Sequence, residues 1–325
     1  MLARTAQRMY WFGRYIERAE STARLINVNT NLALDLPRVK HIWASIIDIS
    51  GATKEFNERF SRADERNVVK FLLEDDRVSI RAAVSRAREN ARTTREIIPA
   101  EAWERINELY LYLRRNLDKG VKREGRHKFL SDIISHCYQL TGLLAGNMSD
   151  DAEFNFIKLG RYLERADMTT RVVDVGCLNM NNPDQGDITE YENILWMSVL
   201  RSLTAYQMYR QHVHDRVNGE DVVDFLLRDE RFPRAVAHCL NMVHACSAEL
   251  PKNDLVIHAT ASARRMVTGE DVLKIYRRGR LHKYIDDVQL ELARIHEQLR
   301  IAWFGFPAPN TLPVPATQKQ TSVTA

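Results

Sequence analysis

The chain has 325 residues, 45% of them hydrophobic and 28% charged, with a formal net charge of +4 and a pI near 8.8. That is the composition of a packed soluble protein able to bury a sizeable core. Acidic and basic residues are interleaved, so the mild positive excess argues against a dedicated nucleic-acid binder. Arg outnumbers Lys roughly threefold, and guanidinium suits bidentate, partly buried contacts with carboxylates better than ammonium does.

At the N-terminus Arg4, Arg8, Arg14, Glu17 and Arg18 interrupt every apolar stretch, unlike a secretory signal. No segment has the uninterrupted apolar length needed to span a bilayer, and the expected location is the cytoplasm. Cys137, Cys177, Cys239 and Cys246 form no C-x-x-C pair, so they are expected as reduced, buried thiols. Glycine and proline are sparse and apolar positions recur at helical spacing, which predicts an all-α fold. Breaks are expected near Asp35 to Pro37, at Pro99, Gly120 to Gly125, Gly146 to Asp150, Asn181 to Asp187, Asn218 and Gly219, Pro251 and Gly279. Four prolines between Pro307 and Pro315 and a polar end predict a disordered tail over 308–325.

The strongest signal is internal repetition. "GRYIERAE" from Gly13 returns 147 residues on as "GRYLERAD" from Gly160. "FLLEDDR" from Phe71 returns 154 residues on as "FLLRDER" from Phe225, and "HKFLSDI" from His127 returns 155 residues on as "HKYIDDV" from His282. Trp43 and Trp196, each two residues before a Ser, add a weaker match. Landmarks in one order at nearly constant offset predict a duplication: two tandem pseudo-symmetric helical-bundle units of about five helices each, over 1–149 and 150–307. Asp150 and Glu153 are spaced as a capping box at the join. Phe71 to Leu73 and Phe225 to Leu227 read as short apolar turns before a capping Asp. Two like units are expected to pack face to face about a pseudo-twofold axis.

On a helical wheel Phe12, Tyr15, Ile16, Ala19, Ala23 and Ile26 share one side, and Arg14, Glu17, Arg18, Ser21 and Arg24 the other. The second copy repeats the charged side with Arg161, Glu164, Arg165 and Arg171. A solvated face is free to drift after duplication, yet Arg14, Glu17 and Arg18 are identical to Arg161, Glu164 and Arg165. Two readings follow. Either the faces meet, Glu17 accepting from Arg161 or Arg165 and Glu164 from Arg14 or Arg18, or the cluster lines a cleft between the units and binds an anionic group.

With the closing "LHKYIDDVQLELARIHEQLRIAWFGFP", these motifs resemble the bacterial alpha-E family along nearly the whole chain, from Met1 to about Pro307. The family is named for its helical fold and its Glu-Arg motif, which maps onto Glu17 and Arg18 and again onto Glu164 and Arg165. It has no established activity. The resemblance implies an association with circularly permuted ATP-grasp proteins and transglutaminase-like peptidases, and a part in peptide or amide-bond metabolism.

Other candidates are weaker. His127 and His282 hold equivalent repeat positions and are expected to cap or pack, or alternatively to carry protons. The basic run Lys119 to Lys128 reads as a solvated loop or a phosphate contact. The i, i+2 histidines His212 and His214 diverge on a helix, Gly125 interrupts the Glu124 and His127 pair, and no metal or cofactor is expected. Neither a Gly-rich phosphate loop nor a nucleophile elbow is present. The expected function is therefore a non-catalytic accessory or adaptor of an ATP-grasp-type peptide or amide ligase. The alternatives are an enzyme or ligand-binding protein using the paired Glu-Arg helices, and an RNA-binding protein.

Overall fold

The protein is described by a computed structural model, which covers residues 2–37, 41–180 and 191–305. Those residues form fifteen α-helices and no strand. In chain order they are α1 (Ala3–Asp35), α2 (Ile42–Ser50), α3 (Thr53–Asn57), α4 (Glu65–Glu74), α5 (Ile80–Arg92), α6 (Ala100–Val121) and α7 (Arg123–Asn147). There follow α8 (Ala152–Met180), α9 (Glu192–Ser202), α10 (Tyr206–His212), α11 (Gly219–Arg228), α12 (Val236–Ala248), α13 (Asp254–Gly269), α14 (Val272–Arg277) and α15 (Leu281–Leu299). A π-helical turn over Arg300–Phe304 closes the described chain. Each half holds more helices than the five expected, because short elements such as α2, α3, α10 and α14 turn the chain between the long ones.

The long helices α1 and α8 lie against each other at the centre. Around α1 pack α5 and α7, and around α8 pack α12 and α15. The repeated motifs fall on these pairs in the same order, "GRYIERAE" and "GRYLERAD" on α1 and α8, "HKFLSDI" and "HKYIDDV" on α7 and α15.

Local chemistry explains the helix ends. Asp64 caps α4 by accepting from Asn67 N at 2.9 Å, and Asn218, 154 residues on, caps α11 by accepting from Asp221 N at 3.0 Å. Phe71 to Leu73 and Phe225 to Leu227 are not turns but the buried last turns of α4 and α11. The turn itself is made by the next Asp. Asp75 accepts from the amides of Arg77 and Val78 at 2.7 and 3.0 Å, and Asp229 from those of Arg231 and Phe232 at 2.8 and 2.6 Å. At the join, Asp151 rather than Asp150 caps α8, accepting from Phe154 N at 3.2 Å, while Asp150 pairs with Lys158. Between α6 and α7 only Lys122 leaves the helix, so Gly125 lies within the first turn of α7. The expected break at Asn181 to Asp187 and the tail over 308–325 lie outside the described residues. Among the described residues no helix is long and apolar enough to cross a membrane.

Candidate functional site

The repeated glycines set how close α1 and α8 come. A Cβ on Gly13 would strike the carbonyl of Ile157, and one on Gly160 would strike that of Tyr10, its carbon lying 2.9 Å away. Only the missing side chains let backbone meet backbone here. Gly13 faces Ile157 and Arg161, and four residues along Glu17 meets Arg165, so the two helices run side by side in the same direction. That brings the charged motifs of both helices to the same level.

Glu164 accepts from Arg14 Nε at 2.6 Å and from Arg18 Nε and Nη2 at 2.5 and 3.0 Å. Reciprocally, Glu17 accepts from Arg165 Nε and Nη2 at 2.9 and 2.8 Å. Its second cation is Arg234, at 2.7 Å, which also donates to Glu20 at 2.5 Å. Glu20 is further held by Arg24, at 3.0 Å. Glu17 and Glu164 are 1% and 2% exposed, and both oxygens of each are taken, which leaves an incoming anion or substrate no free carboxylate. Arg161, the counterpart of Arg14, donates nothing to Glu17 and lies over the Tyr162 ring instead, 5.2 Å from its centre. Arg234 takes the role, from a position where the first half carries Ile80.

Burial alone raises the pKa of Glu17 and Glu164, but the arginines outweigh it: Arg165 and Arg234 hold Glu17 at about 2, and Arg18 and Arg14 hold Glu164 at about 2. Arg14 also donates to Tyr10 Oη at 3.1 Å, and that hydroxyl in turn donates to His296 Nδ1 at 2.7 Å. Burial, helped by the Arg14 charge, pushes His296 down to about 4, so the ring is neutral and accepts. Both effects give the same sign. Neutral His296 favours the fold above its unfolded pKa of about 6.5 and loses that contribution as pH falls toward 4, while the carboxylates contribute fully above about pH 5 and lose theirs toward 2. Chemical unfolding measured from pH 7 to 3 should show stability falling continuously, with the steepest loss below pH 5.

His127 is exposed and its Nδ1 faces Asn27 Oδ1 at 2.9 Å; His282 Nδ1 faces Asp174 Oδ1 at 2.8 Å. Neither lies in the Glu-Arg cluster. The run Lys119 to Lys128 is no solvated loop. It spans the end of α6 and the start of α7, with Arg126 buried and donating to Gly120 O, Val121 O and Glu65, and Arg123 and Lys128 paired with Glu65 and Asp132. All four cysteines are buried, and none of them forms a disulfide. Sequence reasoning missed Glu20, Arg234, Tyr10 and His296. The signal for Glu20 was present, since both motif copies end in an acid, Glu20 and Asp167; Arg234 and His296 come from distant helices and break the repeat.

A separate cavity of about 50 Å³, open to solvent at its mouth, lies between α1, α2, α8 and α9. Its wall is mostly apolar, with Leu25, Ile42, Val172, Leu195 and Val199, relieved by Ser45 and Ser198. No residue of the Glu-Arg cluster lines it.

A family model matches residues 1–304; it describes a predicted alpha-helical domain with a conserved ER motif. No curated protein and no solved structure matches the chain.

Proposed function

The chain belongs to the Alpha-E family, and from that membership and the closed state of its Glu-Arg motif we propose that it is a non-catalytic accessory or adaptor protein. Its partners in this reading are a circularly permuted ATP-grasp-type peptide or amide ligase and a transglutaminase-like protein. The observation that carries the reading is that Glu17 and Glu164 are buried and neutralised by arginines across the α1–α8 contact. Buried, fully paired charges define which helix faces meet rather than turn over substrate. The motif then builds the molecule, and its surface does the work. We also infer that 1–149 and 150–307 are copies of one unit, which the reciprocal Glu17–Arg165 and Glu164–Arg18 pairs support. Affinity-tagged full-length protein, purified from its own cells, should bring down an ATP-grasp protein; recovery of the chain alone in repeated pulldowns and in mixing with that ligase would end the proposal.

One observation favours a second reading, a ligand-binding protein. The cavity between α1, α2, α8 and α9 is apolar with a few hydroxyls, as small-molecule pockets generally are. The residues of this reading are those of the cavity wall and not the Glu-Arg cluster. Replacing Val199 by Trp, which would fill the cavity, should leave partner binding intact if the adaptor reading holds.

A further inference from the structure

Three side chains outside the Glu-Arg cluster converge where α8 passes α15. His282 and Asp286 are one helical turn apart on α15 and so share a face, and Asp174 projects from α8. His282 Nδ1 is 2.8 Å from Asp174 Oδ1 and Nε2 is 3.7 Å from Asp286 Oδ2. One donor atom from each lies within 4.8 Å of the others. Two donors that each sit about 2.1 Å from one tetrahedral ion are about 3.4 Å apart, so the 2.8 Å His282–Asp174 hydrogen bond has to open only slightly to admit one. Asp286 is exposed enough to swing in.

A second observation is the missing counter-charge. Elsewhere the buried acids meet arginine: Glu17, Glu20, Glu164 and Asp75 each have a guanidinium within 3.0 Å. Asp174 is 8% exposed, yet its ion-pair partner among the described residues is His282 alone, and the same holds for Asp286. The charged groups acting on Asp174 and His282 are each other and Asp286, with no Lys or Arg among them. Two carboxylates thus face one imidazole with no fixed cation, whereas buried charges are normally paired or bind metal. The first half supplies a built-in comparison. At the repeat-related positions it has Asn27, His127 and Ser131, with His127 Nδ1 2.9 Å from Asn27 Oδ1. The histidine and its neighbour are kept there without either carboxylate, so the scaffold does not need the acids.

We propose that Asp174, His282 and Asp286 form a binding site for a divalent first-row transition ion, Zn²⁺ or Mn²⁺, between α8 and α15. One imidazole nitrogen and two carboxylates are a donor set such ions accept, and the half-exposed His282 and Asp286 leave coordination positions open to water or a second ligand. The site is independent of the adaptor reading, since it shares no residue with the Glu-Arg cluster. Because the ion must displace the imidazole proton, binding should weaken as pH falls.

The test is chelator-competition titration of EDTA-stripped full-length protein with Zn²⁺ and with Mn²⁺, metal content being read by mass spectrometry. The expected result is one bound ion, with at least tenfold weaker binding in the double variant Asp174→Asn, Asp286→Ser, which installs the residues of the first half, and in the single variant His282→Gln. Circular dichroism should show all three proteins equally helical; should the double variant fail to fold, the exposed His282→Gln decides. Failure of the native protein to take up either ion, or undiminished binding in the folded variants, would overturn the proposal.

Discussion

Replacing Glu17 with alanine is expected to cost about 3–5 kcal/mol of stability, because it strands the buried Arg165 charge and leaves Arg234 with Glu20 as its one carboxylate. Arg165 would lose both its bonds to that carboxylate, and Arg234 one of two. Their side chains are 12% and 8% exposed, which leaves water little room to replace a carboxylate. A loss of that size is a large part of the stability of an ordinary domain. Glu164→Ala should be somewhat milder, because Arg18 is 31% exposed and can turn to solvent. Equilibrium denaturant unfolding of both variants measures the difference. If the residues formed an open ligand site, removing either acid would leave stability unchanged or raise it.

The second large effect is expected at Gly160. Alanine there would gain about 1 kcal/mol of helix propensity. Its Cβ, however, would strike the Tyr10 carbonyl and come within 3.1 Å of Arg14 N, and these are backbone atoms that cannot rotate away. The helices would have to part, which would stretch the Arg14, Arg18 and Arg165 bonds beside the crossing. A net loss of about 2 kcal/mol or more follows, at the upper end for overpacking. Gly142→Ala is the control. Gly142 lies inside α7 with nothing near its missing Cβ, so the same substitution should stabilise the protein by about 0.5–1 kcal/mol. Equal shifts at the two positions in thermal unfolding would deny the close crossing.

The helical class and the principal motifs were legible in the sequence because they depend on local periodicity and on capping chemistry. So was the notion that Glu17 and Glu164 each look across to the opposite arginines, since identical charges in two copies call for a shared contact. What was not legible depends on elements brought together from afar. Arg234 is 217 residues from Glu17 and stands where the repeat has isoleucine, so the repeat pointed to Arg161 instead. The wheel divided α1 into an apolar and a charged side, but Glu17, Glu20 and Ser21 are as buried as Ile16 and Ala19, because α8 covers the charged face. Lys119 to Lys128 read as a loop from its charge and its glycines; Arg126 holds the end of α6 through the carbonyls of Gly120 and Val121, and the helix resumes after one residue. His282 gave no hint of Asp174, which is 108 residues away on another helix.

The Glu-Arg motif is a buried clamp joining α1 to α8. A double-mutant cycle on Glu17 and Arg165 tests it most directly, since Arg234 keeps its bond to Glu20 when both residues are removed. Unfolding free energies of Glu17→Ala, Arg165→Ala and the double variant should give a coupling of about 2 kcal/mol or more, with the double variant markedly more stable than the sum of the single losses predicts. A coupling below about 0.5 kcal/mol, the value of a solvent-exposed pair, would mean that the motif does not clamp the two helices.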